Sequence, residues 1–293
     1  MFVEIMKISI ILPARNEEAS LSILLPELAE RFPKAEIIVV DDGSSDSTEV
    51  VAKGRGAIVV RHPYSQGNGA AIKSGARNAT GDVFVFMDAD SQHSPEDIAR
   101  LLAKLESGYD MVVGARDGAG QASRHRGLAN GFYNCLASWM VGHTVTDLTS
   151  GFRVVRREKF REFLYLLPNG FSYPTTITMA FFRAGYAVTY EPIDVKPRMQ
   201  GTESHIRLWR DGLRFLLIIF KIGTLYSPLK LFAPVALGHA LLGIGYYAFS
   251  YLTYGRLSLA TIFLLTASVT IFLIGLVSEQ ITQLMYRPSG QER

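Results

Sequence analysis

The chain has 293 residues, 48% of them hydrophobic and 19% charged, with a formal net charge of +3. That length holds one sizeable soluble domain and a further apolar region, and so mild a basicity argues against nucleic acid as a partner. The single cysteine, Cys135, excludes an intramolecular disulfide and suits a reducing compartment.

The N-terminal stretch MFVEIMKISIILPARNEE has too short an apolar run for a secretory signal and meets acidic residues at once, so it reads as the first strand. Strand-like runs follow at Lys7–Leu12, Glu36–Val40, Ala57–Val60, Val83–Met87 and Met111–Val113. Helix-like segments lie between them at Glu17–Arg31, Ser47–Lys53, Gly69–Asn78 and Pro95–Glu106. The last has a clear start, with Ser94 as cap, Pro95 at the first helical position and Asp97 at the third. Strand and helix in alternation predict an α/β fold, a parallel sheet covered on both faces.

In such a sheet ligands gather outside the carboxyl ends of the strands, and these ends are polar. The first strand runs into Pro13, Ala14, Arg15, Asn16 and Glu17, the second into VDDGSSDST with Asp41 and Asp42, and the fourth into MDADSQH with Asp88, Asp90 and Gln92. Asp-Gly-Ser is good turn chemistry, and Ser94 already caps the helix after the fourth strand. A turn or cap needs one carboxylate. Two strand mouths here carry two each, and their repulsion calls for a cation or hydrogen-bond donors. Oxygen ligands from Asp88, Asp90 and Gln92 suit Mg2+ or Mn2+, with substrate phosphates completing the shell. The six histidines are scattered without ligand spacing, which argues against zinc. The segment QGNGAAIKSG, residues 66–75, is neither a Walker A loop nor a dinucleotide fingerprint, because Ile72 stands where each needs glycine. It predicts a glycine-rich turn opening a helix, with amide donors for an anion and Lys73 adding a charge. Ordinary flexible glycines at a helix start are the alternative.

Two stretches without formal charge, 231–252 and 257–277, are each long enough to cross a hydrocarbon core of roughly 30 Å as a helix. The turn Thr253–Arg256 makes them a hairpin. Arg207, Arg210, Arg214, Lys221 and Lys230 precede the first span, and Arg287 and Arg293 follow the second, which predicts both termini in the cytoplasm. Residues 206–222, IRLWRDGLRFLLIIFKI, read as a helix lying in the membrane interface with its basic face toward headgroups. The expected organisation is a cytoplasmic domain over 1–204, a juxtamembrane helix over 205–228, the hairpin over 229–280 and a cytoplasmic tail over 281–293. Gly238, Gly243 and Gly245 offer a small-residue face for packing against a second copy of the hairpin.

The motifs ILPARNEE, VDDGSSDST, GNGAAIKSGARNATGD, MDADSQH and TDLTSGFR, in this order over roughly residues 7–227, resemble the family 2 glycosyltransferases. More narrowly they are similar to the polyprenyl-phosphate branch that includes dolichol-phosphate mannose synthase. The resemblance implies an A-type glycosyltransferase fold (Rossmann-like, mostly parallel), a UDP- or GDP-sugar donor, a polyprenyl phosphate acceptor and inversion at the anomeric carbon. It implies that Pro13, Arg15 and Glu17 lie along the nucleotide, that Asp42 holds base or ribose, and that Asp88, Asp90 and Gln92 form the site for metal and diphosphate. It places Arg116, Arg126 and Arg198 around the donor and acceptor phosphates. Asn130, where relatives carry serine, retains an amide donor one turn past Arg126 on a helix expected over 127–140. Ser204 belongs to a loop after Arg198 expected to close over the donor, with His205 where lysine is usual.

An ionised lipid phosphate brings its own nucleophile, with a second pKa of roughly 6, so no strong general base is required. Asp147 is the one carboxylate that stands as a candidate for that work. Metal and arginines would then offset charge on the departing nucleoside diphosphate. Two rival readings stay open. A processive polysaccharide synthase usually carries Gln-x-x-Arg-Trp and more spans, and IRLWRD lacks the glutamine. A catalytically silent module that binds nucleotide sugar is disfavoured by the intact Asp-Ala-Asp-x-Gln set.

Overall fold

Continuous runs of Ile, Val and Phe suit strands buried on both faces, and here they build the centre of one sheet. The computed structural model describes residues 6–116, 124–170, 173–195 and 224–285, apart from the side chains of 124–130 and 132. The chain divides into two units, one of Met1–Trp139 with His143–His205 and one of Met140–Gly142 with Ile206–Arg293.

The first unit carries strands β1 (Ile8–Ala14), β2 (Glu36–Asp41), β3 (Ile58–Arg61), β4 (Val83–Phe86), β5 (Met111–Arg116), β6 (Arg153–Arg156) and β7 (Val188–Ile193). They form one seven-stranded sheet in the order β3-β2-β1-β4-β6-β5-β7. All pairings are parallel except those of β6, which runs antiparallel to β4 and β5. The first five strands match the expected runs. β6 and β7 lie outside the expected strand-like runs. Each has a physical disguise: RVVR is a four-residue run with arginine at both ends, and VTYEPI carries a glutamate and a proline.

The helices are α1 (Glu18–Arg31), α2 (Thr48–Gly54), α3 (Asn68–Asn78), α4 (Pro95–Glu106), α5 (Arg124–Val141), α6 (Arg157–Arg161) and α7 (Tyr173–Arg183). Helix α1 buries Leu21, Leu24, Leu25 and Leu28, a stripe at helical spacing. They join Ile10, Leu12, Val39 and Val85 of the sheet and Ile98, Leu101 and Leu105 of α4 in one core cluster. Beyond it, Phe84, Phe86 and Phe160 pack at centroid distances of 4.6 to 6.1 Å. Ser94 does take the cap position of α4 with Pro95 following, but its side chain makes no capping bond, and Asp97 pairs with Arg100 at 2.8 Å.

In parallel sheets the site lies where neighbouring strands depart in opposite directions. From β1 the chain first moves outward through β2 and β3, then returns to the other side of β1 as β4. The carboxyl ends of β1, β2 and β4 therefore meet at the switch point.

The second unit is a helical hairpin of α8 (Pro228–Tyr254) and α9 (Leu259–Met285), both long and apolar enough to cross a membrane. Gly255 ends α8 in the left-handed conformation, φ 63°, its N–H donating to Tyr251 O. The buried face of α8 holds Ala236, Gly243 and Ser250, and that of α9 holds Thr261, Ser268, Gly275 and Thr282. Small residues seven apart let the backbones approach, and Ser268 Oγ donates to Ala236 O at 2.8 Å across the seam. A Cβ on Gly243 would lie 2.9 Å from Leu265 Cδ2, and one on Gly275 would lie 2.7 Å from Phe232 Cβ. Gly243, expected to face a second copy, thus serves the seam inside the hairpin. Gly238 and Gly245 have open space where a Cβ would stand. The interfacial helix expected over 206–222 lies outside the described residues.

Candidate functional site

The residues after β1 and β2 are tied to one another before they meet any ligand. Asn16 takes the left-handed conformation, φ 56°. Its N–H donates to Ser44 Oγ at 3.0 Å, and its Oδ1 accepts from Ser45 N at 2.9 Å. Glu17 N donates to Thr48 Oγ1 at 2.9 Å, and Glu17 Oε2 accepts from Ser20 Oγ. Asp41 accepts from Ser44 N at 2.8 Å, the turn chemistry expected of Asp-Gly-Ser. This lacing fixes the backbone that presents Pro13, Arg15 and Glu17 to a cleft of about 540 Å³.

Asp42 reaches the same cleft but is engaged from behind. Its Oδ1 meets His62 Nδ1 at 2.7 Å and Gln66 N at 2.8 Å, and its Oδ2 accepts from Ser65 Oγ at 2.8 Å and Gly67 N at 2.9 Å. A carboxylate has about four acceptor positions, and these contacts fill them. Burial would raise this carboxyl, yet the bonds from His62, Gln66, Ser65 and Gly67 hold it below its ordinary value. Asp42 thus organises the loop that leads into α3.

After β4 the chain turns through Ser91, a non-glycine residue at φ 58°, which lets Asp88, Asp90 and Gln92 all line the cleft. Asp90 Oδ1 accepts from Gln92 N at 3.2 Å. A Cβ on Gly151 would lie 3.2 Å from Asp88 Oδ2, so glycine lets that segment pass beside the carboxylate. Among the described residues no three His, Cys, Asp or Glu side chains group to hold a metal ion. Two carboxylates and one amide oxygen form an incomplete hard-oxygen set. They fit Mg2+ or Mn2+ where substrate oxygens and water supply the remaining ligands.

Arg116, at the end of β5, enters the cleft with its orientation fixed. Its Nε donates to Asp147 Oδ2 at 2.7 Å, one terminal nitrogen donates to Asp147 Oδ1 at 2.9 Å, and the same nitrogen donates to Thr149 Oγ1. Thr149 N and Ser150 N also donate to Asp147. Burial favours the neutral acid at Asp147, but the bonds and charge of Arg116 and the backbone amides outweigh it and keep the carboxyl below its ordinary range. Asp147 is therefore the anchor of Arg116, and a carboxylate so engaged is a poor proton acceptor.

His93, one of six histidines scattered through the sequence, lines the cleft. Its ring stacks on Phe152 at 4.9 Å, and burial pushes its pKa down, favouring the neutral imidazole. Its position directly after Gln92 was the available signal. Asn68 Oδ1, His93 Nδ1 and Ser150 Oγ are buried without a hydrogen-bond partner among the described residues, and all three residues line this cleft. Buried polar atoms are normally satisfied, so their convergence marks a surface built for a polar ligand.

The glycines of 66–75 serve close packing. A Cβ on Gly67 would lie 2.6 Å from Asn169 O, one on Gly69 would lie 2.1 Å from Pro168 O, and one on Gly75 would lie 2.3 Å from Ile11 Cγ2. Lys73, expected to add charge at the anion site, instead donates to Leu167 O at 3.0 Å and to Asn169 Oδ1. It clamps the loop before α7 and is not part of the cleft wall; Gly67, Asn68 and Ala71 are. The side chains of Arg126 and Asn130, and all of Arg198 and Ser204, lie outside the described residues.

A family model described as Glycosyl transferase family 2 matches residues 9–164, and one described as GtrB C-terminal hairpin matches residues 227–284. The chain is 28% identical over 243 residues to the glycosyltransferase AglJ of Haloferax volcanii, covering 81% of this chain and 79% of that one. It is 36% identical over 172 residues to the undecaprenyl-phosphate 4-deoxy-4-formamido-L-arabinose transferase of Proteus mirabilis, covering 53% of this chain and about half (51%) of the relative. Among solved structures it is similar to glucosyl-3-phosphoglycerate synthase from Mycobacterium tuberculosis in complex with Mn2+, UDP-glucose and phosphoglyceric acid. That match has a TM-score of 0.60 at 25% identity, over 74% of this chain and 79% of that one.

Proposed function

Because the chain belongs to glycosyl transferase family 2, we propose that it transfers a sugar, with inversion, from a UDP- or GDP-sugar to a polyprenyl phosphate such as undecaprenyl or dolichyl phosphate. The transfer takes place at the cytoplasmic face of a membrane that the hairpin spans. Asp88, Asp90 and Gln92, lining one cleft with Arg116 and three unsatisfied polar atoms, carry the reading. The hairpin match and the printed acceptor of the Proteus relative support the lipid, and the Mn2+ and UDP-glucose of the structural neighbour support metal and donor.

Each residue then has a task. Pro13, Arg15 and Glu17 lie along the nucleotide, and the loop held by Asp42 closes that wall. Asp88, Asp90 and Gln92 would hold Mg2+ or Mn2+, which when bound stabilises negative charge on the diphosphate. Arg116, prevented from rotating by Asp147, presents its charge to the same diphosphate as the glycosidic bond breaks. The acceptor phosphate arrives ionised, which agrees with a cleft in which Asp42 and the adjoining Asp147 are committed to internal donors. Arg126, Asn130, Arg198 and Ser204 complete the phosphate surroundings in this reading.

A panel of radiolabelled nucleotide sugars, offered to the full chain in vesicles with undecaprenyl or dolichyl phosphate, tests it. The expected outcome is metal-dependent label in the organic phase from one donor. Label appearing as a long water-soluble polymer would favour a processive synthase, and donor binding without transfer or hydrolysis would favour a silent module.

A further inference from the structure

Arg153 is fully buried in β6, and among the described residues no carboxylate stands within ion-pair distance of it. Asp147 and Asp88 act on its charge only through space. One terminal nitrogen donates to Pro174 O at 3.2 Å and to Thr178 Oγ1 at 3.1 Å. The other donates to Ser150 O. The Tyr173 ring lies 5.8 Å from the guanidinium carbon. A buried charge without a directly paired counter-ion is expensive to keep, and an apolar side chain of similar volume would avoid that penalty. Its surroundings indicate what the charge does there.

Ser150 and Gly151 line the cleft, whereas Arg153 and Tyr173 lie behind it. Arg153 takes the carbonyl oxygen of Ser150. The Tyr173 hydroxyl, on a side chain 1% exposed, donates to the carbonyl oxygen of Gly151 at 3.2 Å. Both donors sit in the core, so both carbonyls are turned inward. A peptide unit carries a dipole of about 3.5 D, and an outward carbonyl would aim its negative end at any anion in the cleft. The same segment passes close beside Asp88: a Cβ at 151 would lie 3.2 Å from Asp88 Oδ2. The buried guanidinium adds positive potential through a medium that screens charge far less than water does.

We propose that Arg153 and Tyr173 form a clasp beneath the cleft that positions the Ser150–Gly151 segment and makes the site favourable for a diphosphate, over and above the side chains that touch the ligand. The clasp rests on the nucleotide-sugar reading. Arg153 and Tyr173 are positioning residues, since both act through the segment above them.

The test is calorimetric titration of the full chain in detergent with Mn2+, comparing the nucleoside diphosphates UDP and GDP with the monophosphates UMP and GMP. Tyr173→Phe keeps the ring and removes the bond to Gly151. It should weaken diphosphate binding about 5- to 10-fold and monophosphate binding less than about 2-fold. Arg153→Met should show the same selectivity with a larger loss; should it fail to fold, Tyr173→Phe alone decides. Unchanged diphosphate affinity in Tyr173→Phe, or an equal loss for both ligands, overturns the clasp and leaves the nucleotide-sugar reading standing. A wild-type protein that binds neither UDP nor GDP overturns both.

Discussion

Asp42 at the mouth of β2 accepts from four groups supplied by residues 62–67, while Asp90 at the mouth of β4 accepts from the amide of its own turn. Both lie on one cleft, and both follow a buried run of Val, Ile or Phe. The first has become a structural post whose charge is matched by donors from a neighbouring loop. The second stands with Asp88 and Gln92 as an oxygen set that fits a cation. At the first of these strand ends it is the loop of residues 62–67 that gives the carboxylate its structural role.

The sharpest way to test that contrast is to remove each carboxylate. Asp90→Ala should lower transfer at least about 1000-fold, roughly 4 kcal/mol, and abolish the response to Mg2+ or Mn2+. Full activity in excess chelator would sink the metal assignment. Asp42→Ala should instead destabilise the first unit by about 2 kcal/mol, because it strands the buried His62 ring and three donors of residues 65–67. Denaturant unfolding of the full chain would read that loss, and an unchanged midpoint would show that the post is dispensable.

The pH dependence has a definite sign. The Asp42 carboxyl lies below its ordinary value of 3.8 when folded, so its contribution is fully present above that pH. It is lost as pH falls through the lowered folded value. Wild type should therefore lose stability more steeply below about pH 4 than Asp42→Asn does.

Smaller effects separate the residues around these two. Asp147→Asn should reduce transfer about 10-fold by loosening Arg116, with no recovery at high pH. A loss near 1000-fold that is rescued at alkaline pH would instead mark Asp147 as a base. Lys73→Met should change donor affinity less than about 2-fold and destabilise by about 1 kcal/mol, since its ammonium holds Leu167 and Asn169. A large loss of donor binding would return Lys73 to the anion site.

Much of the fold was legible because strands buried on both faces must be continuously apolar. β1, β2 and β4 announce themselves in this way, and the carboxylates at their ends were visible as interruptions of the pattern. β6 was hidden for the opposite reason. Its Arg153 looks like a surface residue in RVVR, and it is contacts from Pro174 and Thr178, more than twenty residues on, together with the flanking strands β4 and β5, that make that position an interior one. His93 escaped because a histidine's use depends on what packs against it, here Phe152, about sixty residues on in the segment just before β6.

By itself the sequence determined the periodic and the local: an alternating α/β domain, paired aspartates at strand mouths, an apolar hairpin, and a family likeness carried by five short motifs. Tertiary structure decided how those side chains are used. Glycines 67 and 69 look like a phosphate loop in one dimension, and in three they make room for Pro168 and Asn169. Asp147 looks like a free acid until Arg116 closes on it. Gly243 looks like an oligomer contact until α9 fills the space beside it. The physical reason is common to all three. Spacing along a chain encodes which face a residue occupies, but hydrogen-bond saturation and close packing depend on groups far away in sequence that reach the same place only when the chain has folded.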